Sequence, residues 1–241
     1  GYLAHEGYRR SIYFVHAWLE YADKKSGLIP RNLRESIDIW NARDAAADNY
    51  PFMVLTSAIL DKELYEGKMS EILQTEIKLT SRLDRLPDTY SFSKEGFENQ
   101  KIDKKEIIFG SSEYIKDGLL PLTEYIGHTA WSERMIDLID DIWKNASYEV
   151  NGELLQALSR VYWMTGDEKY LDWAKRLGDY YLLGGHHPTD DVEILRLRDH
   201  GCEIVSGLCE LYVAVANSDQ EKSAAYKAPI YRMLDRILEV G

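Results

Sequence analysis

A chain of 241 residues, 45% hydrophobic and 29% charged, suits one well-cored globular domain or two small ones and is not the composition of a disordered polypeptide. With 29 basic against 41 acidic residues and a net charge of -12, the surface should repel nucleic acid and anionic lipid unless the fold gathers a local basic patch, and none stands out along the sequence. No apolar run approaches the roughly 18 residues of a membrane span, so no membrane partner is expected.

No signal peptide is recognised, but the first residue is Gly1 rather than Met, which leaves room for an upstream leader or a larger preceding part. Periodicity near 3.6 is widespread and strand patterns are scarce, which predicts an all-α protein read as a single domain over 1–241. Helices are expected near 7–23, 51–62, 66–82, 111–126, 131–146, 152–165, 168–183, 200–216 and 222–239. The second is placed by Pro51, because proline is favoured in the first turn of a helix and costly inside one. Asn49 or Tyr50 then serves as its cap, and Asp48 sits beside the positive end of its dipole.

From residue 51 onward two kinds of helix alternate. PFMVLTSAIL (51–60) and GCEIVSGLCELYVAVA (201–216) are apolar or small nearly all round, whereas WSERMIDLIDDIWKNA (131–146) and EKYLDWAKRLGDYYLL (168–183) carry a charged face. Such alternation is expected of a double layer of inner and outer helices built from helical hairpins, an α/α toroid or partial toroid, or a solenoid. The unit is clearest in 152–182, where Thr165, Gly166 and Asp167 stop one helix and start the next. Cys202 and Cys209 lie two turns apart on one helix, roughly 10 Å, and are read as free thiols.

The connections are unequal. Links from inner to outer helices are short, while those leading into inner helices at 24–50, 83–110 and 184–199 are long, which places a thick polar rim at one end of the array. The inner-helix entrances carry Trp40, Asn41, Arg43, Asp44, Asp48 and Asn49; then Ser111, Ser112, Glu113 and Tyr114; then Tyr148, Asn151 and Glu153; and lastly His186, His187, Asp190, Asp191, Arg196, Arg198, Asp199, His200 and Glu203. Carboxylates, an imidazole, guanidinium groups and aromatic rings converging on one axis make a sugar-processing cleft, with paired acids for proton transfer and arginine for a substrate carboxylate.

Each residue also has a structural reading. Asp48, Asn49 and Asp199 cap helices, Glu113 and Glu153 complement a dipole, and Arg196 and Arg198 pair with nearby acids. His186, His187, Asp190, Asp191 and His200 are metal-ligand types, but HExxH and paired CxxC spacings are absent and no metal is expected. Neither a GxSxG elbow, a Walker loop nor a dinucleotide fingerprint occurs, so no cofactor is expected.

ARDAAADNYPF at one entrance, LRLRDHGCE at another and the hairpin containing YWMTGDEKYLDWA resemble the (α/α)6-toroid carbohydrate enzymes, the six-hairpin group of unsaturated glucuronyl hydrolases, N-acylglucosamine 2-epimerases and several polysaccharide lyases. In that group acids, His, Tyr and Arg at inner-helix entrances do the chemistry, so the resemblance implies Asp48, Glu113, Asp199 and His200 as catalytic residues. A six-hairpin ring needs more helices than the roughly nine counted here, so the chain is expected to be part of a longer protein or a smaller toroid.

The leading expectation is an enzyme cleaving a glycosidic bond in an oligosaccharide, one bearing a uronic acid among the candidates. Asp48 and either Glu113 or Asp199 would be the working acids, assisted by His200. Arg196 or Arg198 would meet an anionic group, Trp40 and Tyr114 would stack on the ring, and Asn41, Arg43, Asp44, Asn49 and Glu153 would line the substrate. Two alternatives stand beside it: a helical-repeat scaffold that binds a peptide or partner protein, and a sugar epimerase or lyase with His200 as base.

Overall fold

The computed structural model describes residues 1–146, 152–190 and 201–240, with the side chains at 152, 153 and 201 outside that description. The protein is all-α in character, with two compact units, Gly1–Asn145 and Ala146–Gly241. No helix among the described residues is long and apolar enough to cross a membrane.

In the first unit α1 is Tyr2–Glu20, and only its Val15 is buried. Helix α2 runs over 42–60 and starts nine residues before the expected position 51. Its cap is Asn41, in extended conformation, whose side chain accepts from the backbone N–H groups of Asp44 and Ala45. Asp48 and Asn49 therefore lie inside a helix and cap nothing.

Pro51 is tolerated there because Ala42–Asn49 is a π-helix, in which N–H groups reach back five residues: Tyr50 N–H bonds to Ala45 O. Proline has no N–H, and its ring would crowd the carbonyl four residues back in a regular α-helix; the wider turn relieves the crowding. From Tyr50 to Leu60 the helix is α.

Helix α3 (62–80) is capped by Asp61, passes through a π turn at Tyr65–Met69 and ends in the α segment Ser70–Thr80. Helix α4 (104–126) repeats the device of α2. It starts where Asp103 accepts from Lys105 N and Glu106 N, turns π at Tyr114–Leu119, and resumes α-geometry with Leu120 N–H bonded to Ile115 O, one residue before Pro121. The expected start at 111 is thus corrected: Ser111 and Ser112 are mid-helix, their hydroxyls bonded to Ile107 O and Ile108 O. Helix α5 is Ala130–Asn145.

The long links into α2 and α4 carry short strands that the sequence pattern does not reveal. β1 (Ile39–Trp40), β4 (Tyr90–Ser91) and β5 (Gly96–Phe97) form an antiparallel sheet in the order β1-β4-β5, with Trp40 opposite Tyr90 and Tyr90 opposite Phe97; β2 (Ser81–Leu83) and β3 (Leu86–Pro87) form a hairpin.

The π segments of α2 and α4 pack on each other. Gly118 makes that approach feasible. A Cβ there would lie 2.8 Å from Pro51 Cγ, 3.2 Å from Ala46 O and 3.3 Å from Ala47 O, and these are the two carbonyls that a residue with an N–H at position 51 would engage in π or α geometry.

Below the seam lies a buried ion pair. Arg134 and Glu76 are 2% and 1% exposed. Arg134 donates to Glu76 Oε1 at 2.5 Å and Oε2 at 3.1 Å and to Arg85 O at 2.8 Å, and Thr80 donates to Glu76.

The second unit contains α6 (Gly152–Thr165), α7 (Glu168–Leu182), α8 (Gly201–Ser218) and α9 (Gln220–Val240). α6 and α8 make the largest contact, with α7 against α6 and α9 against α8. Gly166 takes a positive φ of 67° and Asp167 caps α7 through Lys169 N, as the Thr-Gly-Asp signal predicts. Glu210 of α8 accepts from Gln156 at 3.0 Å and from Arg160 at 2.9 Å, tying α6 to α8.

Alanine at Gly118 should destabilise the first unit by about 1–3 kcal/mol through overpacking, although the same change inside a free helix favours folding by about 1 kcal/mol. Urea unfolding of Gly118→Ala measures the sign, and a stabilised variant would show that the seam is not close-packed.

Candidate functional site

The N-terminal π segment of α2 and the middle of α4 carry most of the expected site residues that the structure describes. Asn41 is buried beneath its capped helix, and its side-chain amide donates to Asp44 Oδ2 at 2.5 Å. The same oxygen receives Arg31 Nε at 2.9 Å and lies 3.5 Å from Arg43 Nε, while Arg43 reaches Glu106 at 3.4 Å. Beside this network is a cavity of about 90 Å³ lined by residues including Arg31, Asn41, Arg43, Asp88, Thr89 and Glu106. It has room for a few waters and not for a sugar, since ligand pockets run to roughly 300 Å³ and above.

One helical turn on, Asp48 is exposed, yet its carboxyl is held above its usual value. Partial loss of hydration is the first cause, followed by the carboxylates of Asp44 and Asp117, with Lys116 acting in the opposite direction. Lys116 Nζ is 3.2 Å from Asp117 Oδ2 and 3.7 Å from Glu113 Oε1. Lys116 thus stands between Glu113 and Asp117, and its charge also reaches Asp48. The surroundings of Asp48 favour retention of its proton, the condition a general acid needs.

Asp48 and Glu113 are therefore brought to the same seam. Asp44 is anchored at its upper end, and Asn49 sits half-buried on the same helix without making a capping bond. Two expected roles are corrected. Trp40 is 1% exposed and Tyr114 wholly buried, so neither offers a ring face to a sugar. Tyr114 points into the core, where the loss of hydration, with the negative charge of Glu76 adding to it, holds its hydroxyl well above the usual tyrosine range. That hydroxyl has no hydrogen-bond partner among the described residues.

Arg196, Arg198, Asp199 and His200 lie outside the described residues, as do Tyr148, Asn151, Asp191 and the side chain of Glu153. In the second unit His186 stacks on Tyr180 at 3.8 Å. His187 is buried, its Nε2 2.9 Å from Pro229 O and its Nδ1 3.0 Å from Thr189 Oγ1. A carbonyl only accepts, so the proton sits on Nε2 and Nδ1 accepts from the threonine. This is a structural histidine. Among the described residues no group of three His, Cys, Asp or Glu side chains could hold a metal ion, and Cys202 and Cys209 are not joined in a disulfide.

The sequence reading missed Arg31, Lys116 and Asp117. A signal for the last existed: Asp117, Gly118 and Pro121 repeat, with one residue more, the spacing of Asp48, Asn49 and Pro51. Compared with known proteins, the chain matches no protein-family model, no curated protein and no solved structure.

A carboxyl whose affinity for protons is higher folded than unfolded loses stability as pH rises from the ordinary carboxylate range through the folded value. Its ionised form therefore works against folding at neutral pH. Asp48→Asn, which cannot titrate, should raise the unfolding midpoint at pH 7, and the gain should shrink toward zero as the pH approaches about 4. Thermal melts of both proteins across that range check the sign; an equal effect at every pH would mean that Asp48 meets no unfavourable field.

Proposed function

We propose that the chain is the whole or part of a carbohydrate-active enzyme that cleaves a glycosidic bond in an oligosaccharide, its hairpins forming a full or partial α/α toroid. The observation that carries this reading is Asp48, a solvent-reaching carboxyl with raised proton affinity, set in a seam with Asp44, Glu113 and Asp117.

In the proposed reaction the protonated Asp48 gives its proton to the glycosidic oxygen as the C–O bond breaks. A water attacks the anomeric carbon, and its proton passes to a second carboxylate, Glu113. Placement on a helix rather than a loop favours the precision such transfer demands. The alternation of apolar stretches such as 51–60 and 201–216 with charge-faced ones such as 131–146 and 168–183, and the packing of α7 on α6 and of α9 on α8, support the toroid arrangement.

A scaffold that binds a partner protein is the second reading, favoured by α1. That helix exposes Tyr2, Leu3, Tyr8 and Tyr13 while burying only Val15, and a partner protein would cover such apolar side chains.

Calorimetric titration of the folded protein with neutral and uronic oligosaccharides separates the two readings, since only the enzyme should bind them. On the oligosaccharide so identified, Asp48→Asn should lower turnover by roughly 100-fold or more with an undiminished melting temperature, because an amide carries no transferable proton. Unchanged turnover in the folded variant would remove Asp48 from the chemistry.

A further inference from the structure

The fold builds a basic patch out of segments far apart in sequence. The turn after α1, Asp23 to Gly27, and one face of α3 enclose a groove of about 580 Å³ lined by Lys24, Lys25, Lys68 and Lys78, with Asp23 and Glu71 as its acids. Four lysines against two carboxylates stand out in a chain of net charge -12.

Among the described residues neither acid makes an ion pair closer than the 3.6 Å between Glu71 and Lys68. One oxygen of Asp23 is engaged by Lys25 N at 3.1 Å, Ser26 N at 2.6 Å and Ser26 Oγ at 2.7 Å. Glu71 meets Lys68 only at 3.6 Å and is mostly exposed. Lys25 is paired with Glu95. Lys24 makes one long bond to Glu20 O at 3.3 Å, and no hydrogen bond or ion pair ties Lys78 among the described residues. Lys24, Lys68 and Lys78 remain as the cations facing the groove.

Lys68 is positioned by the backbone. It belongs to the π turn of α3, a feature often found at functional sites. Its side chain is 39% exposed, and its Nζ lies 3.1 Å from where a Cβ of residue 27 would be; Gly27, at φ +75°, both makes the turn and leaves that space.

Lys68 and Lys78 are roughly 15 Å apart along the helix. That span is longer than a single phosphate or carboxylate. Between them Gln74 and Thr75 offer hydrogen-bonding groups suited to hydroxyls, and no aromatic ring lines the groove for stacking a base.

The geometry points to a binding groove for a linear acidic oligosaccharide, whose carboxylates repeat along a hydroxyl-rich chain; the choice of a saccharide as the occupant rests on the proposed carbohydrate activity. Lys68 and Lys78 engage carboxylates several sugar units apart along the chain, Lys24 closes the opposite wall, and Gln74 and Thr75 meet hydroxyls between them.

Calorimetric titration of the folded chain at low ionic strength with an oligogalacturonate, a neutral oligosaccharide of equal length and a polyglutamate peptide tests the assignment. The oligogalacturonate should bind, more weakly as salt rises, and the other two should not. Lys68→Gln with Lys78→Gln should lower its affinity about tenfold or more with the melting temperature unchanged, and Lys78→Gln alone serves if the pair disturbs folding. Undiminished affinity in the variant, equal binding of the neutral sugar or tighter binding of polyglutamate would each overturn the assignment. The titration needs no turnover, so its result is separate from the fate of Asp48 as a proton donor.

Discussion

The first unit depends on the close approach of α2 and α4 where Gly118 faces the carbonyls of Ala46 and Ala47 and the ring of Pro51. A proline inside a helix leaves carbonyls without their partner, and a neighbouring helix with a side chain at that point would be pushed away from them. Having no side chain, Gly118 lets α4 lie directly against the strained turn. The small residues Ala42, Ala45, Ala46 and Ala47, all buried, extend the same contact. Both helices widen into π geometry here, and in both the turn is released just before a proline. The two irregularities lie against each other, so each helix packs on the other's departure from α-geometry.

The same seam divides polar groups between two environments. Asp48 and Asp117 reach solvent, whereas Tyr50 and Tyr114 turn inward. Tyr50 donates to Met69 O at 2.6 Å and accepts from Trp131 Nε1 at 2.9 Å. Beside them the Glu76 and Arg134 pair carries a desolvation cost of several kcal/mol per ion, which their mutual attraction offsets only with good geometry and further hydrogen bonds. Those bonds are present, from Thr80 to Glu76 and from Arg134 to Arg85 O. Arg85 is held in turn by Asp141, through its own N–H and its guanidinium, each at 2.8 Å. The buried charge thus anchors the β2–β3 turn to α5, and a link that reads as loop is fixed to the core.

Helix content was legible because the period of 3.6 runs through most of the chain, and the turn at Thr165 to Asp167 was legible because each of its residues has one local role. Pro51 misled because the rule that places proline in a first turn concerns α-geometry. ARDAAADN then read as a polar approach, although its four alanines fit a buried helical face. β1 and β3 to β5 are two residues each, too short for alternation to show. Trp40 and Tyr114 sit among polar neighbours, which drew them toward a sugar-binding reading; their burial follows from contacts that sequence spacing does not contain. The basic groove was hidden for a similar reason. Lys24, Lys68 and Lys78 each look like an ordinary solvated lysine until the turn after α1 is set against α3.

Asp48 and Tyr50 are two residues apart on α2, and Glu113 and Tyr114 are adjacent on α4. The exposed carboxyl of Asp48, the buried one of Glu113 and a buried tyrosine pair therefore share the same two turns of backbone. Rotation of either helix that relieved the unpartnered Tyr114 hydroxyl would also swing Glu113 and its Lys116 partner relative to Asp48. The wider π turns set that rotation, and Gly118 with Pro51 locks it by leaving no space for slippage. The proton affinity of Asp48 is consequently a property of the seam as a whole, because the partial loss of hydration that chiefly raises it and the nearness of Asp117 on the next helix both depend on the contact of the two irregular turns, with Asp44 on its own helix adding to them.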